Sequence, residues 1–209
     1  MAFASPASNL VSGDTNPSED VFVRDTLANT TTRISVDSAG NQTFGNSYSP
    51  SISANGRFVA FTSTASNLVP GDTNKTNDIF VRDLLTNTTT RVSVDSVGNQ
   101  ANDASDRGSI TPEGRFVVFY SFASNLVPGD TNNNIDIFVH DTLANTTTRV
   151  SVDSAGNQAN REVTAPPSGP TGGLWRLLLL PPTSCRGILT KTTTLLCVIC
   201  QPTPQLASL

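Results

Sequence analysis

Cysteine is missing from the first 161 residues of this 209-residue chain, histidine occurs once (His140), lysine twice (Lys75, Lys191) and tryptophan once (Trp175). With no thiols, a disulfide framework is impossible in residues 1–161. With one histidine, no Ser-His-Asp set can be assigned among the repeating Ser and Asp residues. A phosphate-binding glycine loop is also missing. No apolar run approaches the ~20 residues of a membrane-spanning helix; Leu177 to Leu180 is stopped by Pro181 and Pro182. No signal peptide precedes the first motif. Basic charge is scarce: residues 1–161 carry a net −6 and residues 162–209 a net +2, within an overall charge of −4. An acidic body of this kind argues against nucleic acid or an anionic membrane as partner. Hydrophobic residues make up 36% and aromatics 6%, too lean for a helical domain. What is abundant is Asn, Thr, Ser, Asp and Gly, the residues of turns and β-hairpins. The expectation is an all-β chain.

The same phrases recur in strict register. "ASNLV" starts at residues 7, 65 and 123, "GDTN" at 13, 71 and 129, and "VFVRD", "IFVRD" and "IFVHD" at 21, 79 and 137, a step of 58 residues. "TTTR" ends at Arg33, Arg91 and Arg149, and "GNQ" opens at Gly40, Gly98 and Gly156. Self-similarity of this strength means a repeat architecture. Within one unit, "SIS" (51–53) reads as a strand, "NG" (55–56) as a hairpin turn and "RFVAFTS" (57–63) as a strand apolar on both faces. A long polar loop leads to "DIFVRDL" (78–84), then "LTNTT" (85–89) as a turn and "TRVSVD" (90–95) as a fourth strand with Val92 and Val94 on one face. Four antiparallel strands per unit, the inner ones apolar throughout and the outer one alternating, describe a blade of a β-propeller. The expected division is a partial blade at 1–46, blades at 47–104 and 105–161, and a separate segment at 162–209.

"ISANGRFVAF" followed by "NDIFVRDL" resembles the TolB-like β-propeller repeat, in which a Ser-x-Asp-Gly-(Lys/Arg) turn enters a strand and an Asp-Ile-(Tyr/Phe)-Val strand follows. The chain departs from it with Asn55 and Glu113 at the turn's Asp position and with the long "ASNLVPGDTN" loop. The resemblance covers about residues 1–160. It implies a propeller used for contacts with proteins or with further blades, or a cap beside a hydrolase or peptidase domain, in a periplasmic, cell-surface or secreted bacterial protein. It implies no reaction.

Residues 162–209 break the language: every Cys (Cys185, Cys197, Cys200) and Trp175 lie there, and no Asp does. Read one base early, the codons of Pro182 to Lys191 permit Ser-Asn-Leu-Val-Pro-Gly-Asp-Thr-Asn-Lys, the phrase found at residues 66–75, in the register that two further 58-residue steps demand. A one-base deletion near codon 161 accounts for this. Likewise Met1-Ala2-Phe3 stands where Val59-Ala60-Phe61 and Val117-Val118-Phe119 stand later. The expectation is a fragment, opening inside a blade, with an irregular out-of-frame tail. Sequencing the gene is expected to show TCC-AAC-CTC-GTG-CCG in the shifted frame beneath residues 181–186; any other string overturns the frameshift.

Few residues stand out as chemical candidates. Cys197 and Cys200 have redox-pair or half-zinc spacing, but both codons are explained as shifted Val81 and Leu84. His140 replaces Arg24 and Arg82 in register and is expected on a strand surface. Five N-x-[ST] sequons (Asn29, Asn41, Asn74, Asn87, Asn145) arise freely in so Asn- and Thr-rich a chain. The better candidate is the loop before the third strand, where oxygen-bearing side chains recur at alternate positions: Asp14, Asn16, Ser18, Asp20; Asp72, Asn74, Thr76, Asp78; Asp130, Asn132, Asn134, Asp136. Calcium takes six to eight oxygens, and a curled loop of this kind can supply several. The competing explanation is that these side chains bond loop backbone and start the next strand. The functional expectation is a non-catalytic binding or scaffold segment, needing no cofactor other than possible calcium. Its terminal blades are expected to expose apolar faces built from residues such as Phe58, Val59, Phe61, Ile79 and Val81 and to self-associate.

Overall fold

The computed structural model describes residues 1–163; the irregular tail expected at 162–209, with its cysteines and Trp175, falls outside them but for its first two residues. Eleven strands are present: β1 Ala2–Ser5, β2 Asp20–Asp25, β3 Thr30–Arg33, β4 Ser47–Ile52, β5 Phe58–Ser63, β6 Asp78–Asp83, β7 Thr88–Arg91, β8 Ser105–Ile110, β9 Phe116–Ser121, β10 Asp136–Asp141 and β11 Thr146–Arg149. They form three antiparallel meanders, β1-β2-β3, β4-β5-β6-β7 and β8-β9-β10-β11. No barrel closes, and the three sheets make an open, partial propeller arc. No helix among the described residues is long and apolar enough to cross a membrane.

The strands follow from residue chemistry. The middle strands of the second sheet are apolar on both faces because that sheet packs between two neighbours: Val59, Phe61 and Phe80 join Val21, Ile34 and Leu68 in one buried cluster, and Ala60, Ile79, Val81 and Val92 join Val117, Phe119, Leu126 and Phe138 in the next. Each sheet places one phenylalanine pair in direct register, Phe3–Phe22, Phe61–Phe80 and Phe119–Phe138, with ring centroids 5.7, 5.9 and 5.9 Å apart. The "ASNLV" loop folds Leu68 and Leu126 onto those rings, which is why both leucines are buried. Gly56, at φ 71°, closes the β4–β5 turn. Its counterpart Gly114, at φ 80°, also lies against the neighbouring sheet, where a Cβ would fall 2.2 Å from Phe58 Cδ2. Across the far end of the second and third sheets, Arg57 and Arg115 hold Asp83 and Asp141, both at 2.6 Å. These hydrogen bonds keep both carboxyls below the usual carboxylate range.

Several details differ from the sequence reading. The first strand of the unit is not the three residues of "SIS" but Ser47–Ile52, because a bulge between Tyr48 and Ser51, with Ser49 at φ 51°, lets pairing resume upstream. The fourth strand is Thr88–Arg91, not "TRVSVD", and the turn before it centres on Asn87 at φ 57°. The strand stops at Arg91 because the Ser93 hydroxyl accepts the Ile79 N–H and donates to Asp78, replacing backbone pairing. Val92 and Val94 are nonetheless both buried. Val59, Phe61, Ile79 and Val81 are not exposed terminal faces. They belong to the middle sheet and are at most 7% exposed, with Phe58 partly buried beside them.

Candidate functional site: carboxylate clasps and an inner-strand cluster

The residues singled out for calcium fold into the same clasp three times. Asp20, Asp78 and Asp136 open β2, β6 and β10 and are fully buried. One oxygen of each accepts a hydroxyl proton from Ser35, Ser93 or Ser151 at 2.5 Å. The amide of Gln42, Gln100 or Gln158 then spans both carboxylates of its loop, lying 2.7, 2.8 and 2.6 Å from Asp14, Asp72 and Asp130 and 3.5, 3.0 and 2.8 Å from Asp20, Asp78 and Asp136. Arg33, Arg91 or Arg149 places Nη1 between the same pair, 3.2–3.6 Å from the first carboxylate and 3.6–3.7 Å from the second. Burial pushes the Asp78 carboxyl up, against the hydrogen bonds from Ser93 and Gln100 and the charge of Arg91.

Asn16, Asn74 and Asn132 do not aim their oxygens at the carboxylates. Each carbonyl oxygen accepts the backbone N–H two residues on, at Ser18, Thr76 or Asn134. Each amide donates to the carbonyl of Thr43, Ala101 or Ala159, and those of Asn74 and Asn132 donate also to Asp78 and Asp136. The structure thus brings the two Asp of each loop together and fills the space between them with a guanidinium and an amide. The Ser18, Thr76 and Asn134 side chains stay outside. Among the described residues, no group of three or more His, Cys, Asp or Glu is placed to hold a metal ion.

His140 is corrected from a strand-surface residue to a buried one, 3% exposed, because it stands where the third sheet packs on the second. Its Nδ1 lies 2.9 Å from Thr147 Oγ1, in the place of the Arg82–Thr89 contact. Burial pushes its pKa down, against the charge of Asp141. The sequons Asn29, Asn87 and Asn145 hold the left-handed positions of the three equivalent turns.

A second cluster escaped the sequence reading. β4 packs on β8, and each carries a bulge whose left-handed residue is Ser49 or Arg107. Asp106 accepts the Thr62 hydroxyl at 3.0 Å and the Tyr120 hydroxyl at 3.4 Å. The Arg107 guanidinium lies 5.7 Å from the Tyr120 ring centroid. Burial, and then the Asp106 carboxylate, pushes the Tyr48 and Tyr120 hydroxyls up. A signal was present: the second and third units differ at six strand positions, and four of them (48/106, 49/107, 50/108, 62/120) build this cluster. Clasp residues, by contrast, are the same in all three units. Gly108 is needed for the fit, since a Cβ there would lie 2.6 Å from Ile79 Cγ2.

No protein-family model matches the chain, and no curated protein matches it. Among solved structures, it is similar to TolB from Acinetobacter baumannii (22% identity, TM-score 0.41, 71% of this chain and 30% of that one). It is also similar to dipeptidyl peptidase 4 from Porphyromonas gingivalis (17%, TM-score 0.40, 70% and 24%) and to the tricorn protease (15%, TM-score 0.39, 66% and 11%). The chain spans less than half the length of each. Its fold is all-β, with a partial likeness to TolB and other β-propeller proteins at low identity.

Proposed function

We propose that residues 1–161 are a non-catalytic binding module of an exported bacterial protein, built from a partial blade (1–46) and two blades (47–104 and 105–161), and that the inner-strand cluster meets its ligand. The carrying observation is where the units diverge. Clasp residues are the same in every unit, whereas Tyr48, Asp106, Arg107 and Tyr120 are unit-specific and partly or fully accessible, on and beside the two bulges. Two phenols, a carboxylate and a guanidinium suit an extended polypeptide, whose backbone and charged side chains need donors and acceptors at close range. The carboxylate loops serve the scaffold in this reading, since Arg and Gln meet their oxygens. The sequence resemblance of the repeat supports a periplasmic, cell-surface or secreted parent.

Panning a random-peptide display library on the chain tests this. Enriched peptides are expected to lose at least about tenfold in affinity to Asp106→Ala or Tyr120→Ala, about 1.4 kcal/mol, while binding Leu143→Ala unchanged. Peptides indifferent to both cluster substitutions would place recognition elsewhere.

A further inference from the structure

We propose that two copies of this chain dock head-to-tail, the third sheet of each seated on the first sheet of the other, through the clasp that joins consecutive sheets within the chain. That clasp is visible twice. At the first junction, Thr89 Oγ1 donates to the Val36 carbonyl at 2.6 Å, Thr89 N donates to Ser38 Oγ at 3.0 Å, and Arg82 Nη1 donates to the Asp37 carbonyl at 3.0 Å. At the second, Thr147 Oγ1 donates to the Val94 carbonyl at 2.5 Å and Thr147 N to Ser96 Oγ at 3.0 Å. The outermost strand of one sheet thus grips the "SVDS" turn of the sheet before it.

Both halves of a third clasp remain. The first sheet carries Arg24 and Thr31, in register with the Arg82–Thr89 pair, and Arg24 already donates to Thr31 as Arg82 does to Thr89. The third sheet carries Val152, Asp153 and Ser154, in register with Val36, Asp37 and Ser38. Among the described residues neither half has a partner sheet, and exposure records it. Val152 is 40% exposed against 7% for Val36 and 6% for Val94. Asp153 is exposed where Asp37 and Asp95 are half-buried, and Thr31 is half-buried where Thr89 and Thr147 are 6% exposed. The Asp153 carboxylate is already engaged by Asn157 and by the N–H of Ala155. Its carbonyl is the acceptor for Arg24, as that of Asp37 is for Arg82.

A second copy is the occupant because the two faces are halves of an interface this chain already forms with itself twice. In the docked pair, Thr31 meets the Val152 carbonyl and Ser154 Oγ, and Arg24 meets the Asp153 carbonyl. Among the described residues each copy has one face of each kind, so the contact is heterologous, and two copies can satisfy all four faces by closing on each other. The closed pair holds six sheets, within the ~4 to 8 of closed propellers. Open growth would always leave two faces bare.

Light scattering on the full chain and two variants is the test. The unmodified chain is expected at twice its 22.0 kDa mass. Val152→Asp and Thr31→Lys, each shown by circular dichroism to keep its strand content, are each expected as monomers at the same concentration. An equimolar mixture of the two is expected to recover a particle of two chains, since one intact face of each kind is again present. An unmodified monomer, a ladder of larger masses, a variant that pairs on its own, or a mixture that stays monomeric would each overturn the proposal.

Discussion

Replacing Asp78 by Ala is expected to lower the unfolding free energy by about 3–5 kcal/mol, the cost of leaving several buried hydrogen-bond donors without their acceptor. Asp78 is fully buried at the head of β6. Without it, the Arg91 guanidinium, whose side chain is 10% exposed, keeps only Asp72 at 3.6 Å. Ser93, Gln100 and Asn74 lose an acceptor at the same stroke. Because a domain of this size holds roughly 5–15 kcal/mol in all, the variant should sit close to unfolding. Urea denaturation of Asp78→Ala, Arg91→Met and the double variant measures this, with the double variant expected to be less stable than Asp78→Ala, because Arg91 still pairs with the buried Asp72 in the single variant and Asp72 is left without a cation in the double. A loss under about 1 kcal/mol for Asp78→Ala, within the range of a surface ion pair, would show that the clasp does not hold the loop. Since Arg91 and Gln100 occupy the carboxylates, millimolar calcium is expected to leave the unfolding midpoint of the unmodified chain in place. A rise on adding calcium would instead make the loop a cation site.

Phe80→Ala is expected to cost a similar amount, about 3–5 kcal/mol, by a different route: lost apolar burial plus a cavity the neighbours cannot fill. The Phe80 ring is fully buried, stacked on Phe61, and packs in the cluster that joins the first and second sheets. In a linear stack, each sheet is stabilised by its own contacts and by its neighbours. The loss should therefore fall hardest on the first sheet, which has one neighbour among the described residues. Hydrogen exchange is expected to accelerate in β1, β2 and β3 before β9 and β10. Leu85→Ala, at a residue 71% exposed, is the control and should change stability by less than about 0.5 kcal/mol. Equal exchange throughout in Phe80→Ala would mean that the three sheets unfold as one unit.

The 58-residue register, the apolar inner strands and the polar turns are local, periodic properties, and they sufficed to place β5, β6, β9 and β10 within a residue or so. Strand ends were not legible, because they depend on where a side chain can replace a backbone partner, as Ser93 does beside Asp78. The meaning of the acidic loops was only half legible. Spacing along the chain showed Asp72, Asn74 and Asp78 together, but Arg91 and Gln100 arrive from 13 and 22 residues beyond Asp78, and only the folded sheet brings them between the carboxylates. The Thr89–Val36 clasp was not legible at all, and of the Tyr48–Asp106–Arg107–Tyr120 cluster only the divergence between units was. Their members lie on different sheets, and sequence periodicity reports which face of a strand a residue occupies, not which residue of the next sheet stands across from it. That choice belongs to the packing of one sheet on another.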